Sequence, residues 1–200
     1  NGYIVLEVNR NLSSTTATGN AKSCAKAVCA TVLAIASEES KSGKLPRKMS
    51  FDDPAFDFIP WAKPLSDPRK ANIKVKQLFN HTSGLGSGLT PEPADTILTR
   101  AKLYDASRSL EQFTDSLARI PLLFHPGTRW SYSSGLDVAG RVIEAVSGRR
   151  LDRFLEEEIF QPLGMDDTGF RIRPAVRNRL ASVYARSPDG TLQPLGSDGL

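Results

Sequence analysis

Histidine, methionine, tryptophan and cysteine are each present only twice in this chain of 200 residues. Cys24 and Cys29 sit five apart in one predicted helix, where their Cβ atoms cannot reach disulfide geometry, so a disulfide-stapled fold is excluded. His81 and His125 lack companions at metal-ligand spacing, which argues against a zinc site; no metal or cofactor is expected. The longest apolar run, Ala27 to Ala36, falls well short of the ~20 residues that span a bilayer, so no integral membrane segment is expected. The net charge is +4. Its basic residues are dispersed (Arg47-Lys48, Arg69-Lys70, Arg149-Arg150, and Arg171, Arg173, Arg177, Arg179) without interleaved aromatics, the pattern of a solvated surface rather than of a nucleic-acid partner.

What is present is an ordinary globular composition, 40% hydrophobic and 24% charged, at a length suited to one domain over 1–200 or a core domain with a helical insertion. The chain begins without methionine and stops in a polar, glycine-rich stretch, and it reads as part of a longer protein. Residues 3–8 read as a strand. A helix over about 24–40 is apolar all round, a pattern that belongs inside a protein. Prolines dominate 44–76, with Phe58 and Trp61 as aromatic anchors. A short helix is predicted over Val75 to Phe79. Ser109-x-x-Gln112 is a capping box opening a helix to about Arg119. Leu136, Val138, Ala139, Val142, Ile143 and Val146 trace a helical stripe that Gly148 stops. Leu151 to Phe160 forms another helix, its Glu156-Glu157-Glu158 triplet facing water. A strand over Leu180 to Tyr184, turning at Pro188-Asp189-Gly190, completes the reading.

Two places carry chemistry. Ser23-Cys24-Ala25-Lys26 sets a hydroxyl and an amine three residues apart, on one face of a helix. Serine needs a neighbouring base to become a nucleophile, and a lysine supplies one when burial and a helix N-terminus disfavour its charged form. The spacing alone also fits a capping serine followed by a snorkelling lysine. Lys22 and Lys26 ahead of Ala27 to Ala36 also have the outline of a secretory signal, although the strand-like residues upstream argue against it. The second place is Trp130-Ser131-Tyr132-Ser133-Ser134-Gly135, a loop ahead of a helix. Its tyrosine either packs at a loop–helix corner or, close to a lysine, relays protons.

Taken together, Ser23-x-x-Lys26, VKQLFNHTSGL (Val75 to Leu85), FHPGTRWSYSSGLDVAGRVIEAVSG (Phe124 to Gly148) and FLEEEIFQPLGMDDTGF (Phe154 to Phe170) resemble the serine β-lactamase-like superfamily. They resemble most the branch of class C β-lactamases, D-aminopeptidases and family VIII carboxylesterases. The resemblance implies an α/β fold of the β-lactamase/transpeptidase type, an antiparallel sheet flanked by helices plus a mainly helical region, incomplete at the C-terminus. It implies a serine hydrolase on an ester, a D-amino-acid peptide or amide, or a β-lactam. Ser23 is then the acylated nucleophile, its backbone N–H half of the oxyanion hole, Lys26 the general base and Tyr132 the proton shuttle. Ser134 stands where the superfamily usually has a substrate-binding Asn, which leans toward ester cleavage. The Lys-Thr-Gly-type segment that follows in the superfamily is not found by Leu200. His81 is assigned to a structural turn near the cleft. The rival reading is a non-catalytic relative that binds peptidoglycan or protein on the same scaffold. Relatives are often periplasmic or secreted, and a signal for export would lie upstream of Asn1.

Overall fold

The computed structural model describes residues 16–59, 64–90, 93–100 and 107–195. The strand expected over 3–8 and the anchor Trp61 lie outside these residues. The described chain forms two compact units, one of Ser23–Leu163 and one drawing on both ends of the chain.

The larger unit is helical: α1 Ala25–Lys41, α2 Val75–Phe79, α3 Pro93–Arg100, α4 Leu110–Ala118, α5 Gly135–Ser147 and α6 Leu151–Leu155, which continues as a π-helical turn over Glu156–Phe160. α5 is its centre. It packs against α1, α2, α4 and α6, and its stripe of Leu136, Val138, Ala139, Val142, Ile143 and Val146 is buried as the spacing predicts. Gly148, at φ 69°, closes the helix in the left-handed conformation that suits a residue without Cβ. Ahead of α4, Ser109 and Gln112 form the expected box: the Gln112 backbone N–H donates to Ser109 Oγ (3.1 Å), and the Ser109 N–H donates to Gln112 Oε1 (2.9 Å). The glutamate triplet is only partly exposed, because Glu157 and Glu158 pair with Arg149 at 2.6 and 3.0 Å and Glu156 pairs with Arg153 at 2.8 Å.

The proline-rich stretch is fastened from beneath. Phe56, Phe58, Ile59 and Ile73 are buried. The fully buried Lys70 donates from Nζ to the carbonyls of Leu117 (3.1 Å) and Ala118 (2.6 Å), placing a cation where the α4 dipole is negative. Asp67 accepts from Arg69 at 2.6 Å and from the Leu122 N–H at 3.0 Å.

α1 departs from expectation. Its sequence is apolar all round, yet only Val32, Leu33, Ala36, Ser37 and Ser40 are buried, while Ala25, Ala27, Thr31 and Ala34 are exposed. Its principal neighbours among the described residues are α5 and the π-turn, and these cover one face. Of its two buried serines, Ser40 is polar for a reason, whereas the Ser37 hydroxyl has no hydrogen-bond partner among the described residues. Ser40 Oγ donates to the Ser37 carbonyl (2.8 Å) and accepts from the Met49 N–H (3.0 Å), which ties the next loop to the helix.

In the smaller unit, β1 Tyr184–Arg186 pairs antiparallel with β2 Leu192–Pro194, Ala185 opposite Gln193. The turn falls at Pro188-Asp189-Gly190 as expected, with Gly190 at φ 88°. The strand starts later than predicted because Leu180 closes a 3₁₀ turn over Pro174–Arg179 and its neighbour Ala181 bonds to the Thr18 carbonyl instead (2.7 Å). Among the described residues this is the whole sheet, and no helix is long and apolar enough to cross a membrane.

Gly135, the first residue of α5, lies on the backbone of α2. A Cβ there would stand 2.2 Å from the Leu78 carbonyl oxygen. Overpacking a well-filled site costs about 1–3 kcal/mol, and here the obstacle is backbone that cannot rotate away. Gly135→Ala is expected to lose about 3 kcal/mol, read as a lower urea midpoint with an unchanged m-value.

Candidate active site

The head of α1 and the loop before α5 meet at one point. Ser23 sits in a 3₁₀ turn, Lys22–Cys24, that runs straight into α1. Lys22 takes φ 47°, a left-handed conformation uncommon for a non-glycine residue, immediately before the serine. The N-cap of α1 is Cys24, with no side-chain capping bond, so Ser23 is not acting as a cap. Its hydroxyl turns instead to Tyr132: Ser23 Oγ and Tyr132 OH are 2.6 Å apart.

Lys26, one turn further along, places Nζ 5.1 Å from the centre of the Tyr132 ring. Hydrogen bonding to Lys26 first, and to Ser23 second, holds the phenol below its ordinary pKa, against partial burial and the repulsion of Asp137. Asp137, on the first turn of α5, has its own carboxyl pushed up by burial, which the Lys26 charge partly offsets. Cys29 donates to the Leu136 carbonyl at 3.5 Å, and burial, then Asp137, push its thiol up to about 12, so it is inert at neutral pH.

Two loops align to hold Tyr132. Leu123 N–H donates to the Gly84 carbonyl (2.8 Å), Gly127 to Thr82 (2.8 Å), Ser131 to His81 (3.0 Å) and Ser134 to Gly86 (3.0 Å). The approach is close enough that a Cβ on Gly84, itself at φ 82°, would stand 2.4 Å from the Phe124 carbonyl oxygen. The glycine of His81-Thr82-Ser83-Gly84-Leu85 is therefore a requirement of this pairing.

Ser23, Lys26 and Tyr132 are brought together; Ser134 is placed elsewhere. The residue is 1% exposed, and its hydroxyl donates to the Gly86 carbonyl at 2.7 Å. The short Ser134 side chain reaches the neighbouring loop, where a longer amide would project further. His81 holds more than its sequence reading gave it. Its ring lies 4.8 Å from that of Tyr132, tilted by 30°, and its Nδ1 lies 3.1 Å from Ser133 Oγ. Nothing in local spacing signals this contact. Trp130, 63% exposed, stands edge-on to the same imidazole at 5.8 Å.

Known proteins similar to this chain are numerous. The chain is 37% identical over 128 residues to a lovastatin esterase of Penicillium rubens, covering 62% of this chain and 31% of that protein. It is 35% identical over 128 residues to esterase EstB of Burkholderia gladioli, covering 62% and 32%. The chain thus spans about a third of the length of these curated relatives. Among solved structures it superposes on EstCE1, described as a hydrolase with promiscuous acyltransferase activity, with TM-score 0.66 and 30% identity over 84% of this chain and 43% of that one. The D-amino acid amidase of Ochrobactrum anthropi gives TM-score 0.61 and 28% identity over 86% and 44%. The fold is therefore of the β-lactamase/transpeptidase type. The Beta-lactamase family model matches residues 20–199, nearly the whole chain, and the chain belongs to that family.

Proposed function

We propose that the protein is a serine hydrolase that acylates Ser23 and cleaves carboxylic esters of small molecules. The observation that carries this reading is the 2.6 Å contact between Ser23 Oγ and the Tyr132 hydroxyl, with Lys26 beside the same ring. The order of the contacts favours the phenol as the immediate proton acceptor, with Lys26 acting through it. Tyr132, as phenolate, takes the Ser23 proton while Oγ bonds to the ester carbonyl carbon. When the tetrahedral intermediate collapses, the C–O bond to the alcohol breaks and the phenol returns the proton to the departing oxygen. Water then adds to the acyl-enzyme by the same route, giving its proton to Tyr132. As the acid leaves, that proton returns to Ser23.

The Ser23 backbone N–H lies in the first turn of the continuous 3₁₀–α1 segment, where N–H groups precede any helical acceptor, and it suits the stabilisation of the developing oxyanion. With the Ser134 hydroxyl bound to Gly86, no side chain at that position holds a substrate amide, and an ester makes no such demand. The esterase names of the relatives support the same reading.

A fluorophosphonate probe is expected to label the protein once, with the adduct on the peptide containing Ser23, and to leave Ser23→Ala unlabelled. Equal labelling of both forms would remove Ser23 from the role. Turnover of a p-nitrophenyl ester, set beside a D-phenylalanine amide and nitrocefin, then decides the substrate class.

A further inference from the structure

We infer that His81 is a positioning residue for the proton-transferring phenol, acting through its Nδ1 as a hydrogen-bond acceptor. Three contacts from this one residue bracket Tyr132. On one side the Ser131 backbone N–H donates to the His81 carbonyl at 3.0 Å. On the other the Ser133 backbone N–H donates to Nδ1 at 3.2 Å, and Ser133 Oγ lies 3.1 Å from the same atom. Between them the imidazole lies 4.8 Å from the Tyr132 ring at a shallow tilt. The residues before and after Tyr132 are therefore fixed to a single side chain and its own carbonyl, and the ring they carry rests on that side chain.

The chemistry defines the state of the imidazole. A backbone N–H can only donate, so Nδ1 must present a lone pair and the ring proton must sit on Nε2. An imidazolium would aim an N–H at the Ser133 N–H and open the bracket. The surroundings keep the ring neutral: burial, then the charge of Lys26, hold His81 below its ordinary pKa. Its backbone, at φ 61°, is itself in the left-handed region. The surrounding bonds hold that strained conformation in place. Ser133 is 2% exposed, and its Oγ accepts in turn from the Gly135 N–H at 3.2 Å, so the bracket continues into the first residue of α5.

The catalytic part of this inference rests on the proposed hydrolase reading; the structural part does not. Two variants separate the acceptor from the backbone strain. Asparagine tolerates positive φ and sets Oδ1 where Nδ1 stands, whereas glycine relieves the strain and offers no acceptor. His81→Gly is expected to lower kcat on a p-nitrophenyl ester about 100-fold, the scale of a roughly 1 Å misplacement of a reacting group, with KM little changed. His81→Asn is expected to restore most of that rate. Glycine matching wild type, or asparagine as slow as glycine, would overturn the assignment.

A second measurement needs neither activity nor a stable variant. Long-range ¹H–¹⁵N spectra of the protein at neutral pH, in which only His81 and His125 contribute, are expected to show His81 as the Nε2–H tautomer with unprotonated Nδ1. The Nδ1–H tautomer or an imidazolium would overturn the inference. A protein that neither labels nor hydrolyses with His81 intact would defeat the hydrolase reading and leave the tautomer to decide this one.

Discussion

Tyr132→Phe is expected to lower kcat/KM for an ester substrate by ~10²–10⁴-fold, the range over which a positioned proton-transfer group contributes. The substitution removes one oxygen and leaves the ring against His81, so the loop and the fold are expected to survive, with an unchanged urea midpoint as the control. The oxygen it removes is the one 2.6 Å from Ser23 Oγ. The pH profile carries a second signature. The phenol is held below its ordinary pKa by Lys26 and Ser23. In wild type the rate is therefore expected to rise with pH as that lowered phenol ionises, and in Tyr132→Phe this limb is expected to vanish. A variant that keeps both the rate and the limb would move the proton acceptor to Lys26 alone. Steady-state kinetics across pH decides it.

Asp95→Ala is expected to cost ~3–5 kcal/mol, the scale of leaving several buried donors unsatisfied at ~1–3 kcal/mol each. Asp95, fully buried on α3, accepts from the Ser87 N–H (2.8 Å), the Thr90 N–H (2.9 Å) and the Thr90 hydroxyl (2.6 Å). It also presses on Gly86, where a Cβ would stand 2.0 Å from Oδ1. The Gly86 carbonyl is the acceptor for Ser134, so loss of the carboxylate is felt two residues from the phenol as well as in the melting curve.

Burial raises the Asp95 pKa, but the Thr90 hydroxyl and the backbone N–H groups of Gly88, Thr90 and Ser87 together outweigh it and hold the carboxyl below its ordinary value. With the folded pKa below the unfolded one, the contribution is complete above the unfolded pKa near ~3.9 and is lost as pH falls through the folded value. Urea unfolding at pH 7 and at successively lower pH is expected to show wild type and Asp95→Ala converging as the solution becomes acid. A constant gap between them would show that the carboxylate charge is not what the loop needs.

Local patterns in the sequence were reliable where the physics is local. The Ser109–Gln112 box, the α5 stripe and the Gly148 stop all depend on neighbours within a turn or two, and each stands where the spacing puts it. The pairing of the Ser23 turn with Tyr132 was legible only by resemblance, because no periodicity relates residues so far apart. Three features were beyond the spacing altogether. The composition of α1 states that it is apolar, but not which of its faces has a neighbour. The onset of β1 depends on Ala181 bonding to Thr18 from the other end of the chain. The side chains of Ser134 and His81 take their roles from Gly86, Ser133 and Tyr132, contacts made only once two distant loops lie together.

The contact of Gly135 with Leu78 gives the molecule an unusual mechanical property at this point. Side chains between packed helices ordinarily act as a compliant layer, bending through rotamers before either axis shifts. Here backbone meets backbone, and that layer is absent. A displacement of α2 is therefore transmitted to the start of α5, and so to the loop three residues earlier, with little damping. The two short segments behave as one rigid lever whose far arm carries the phenol.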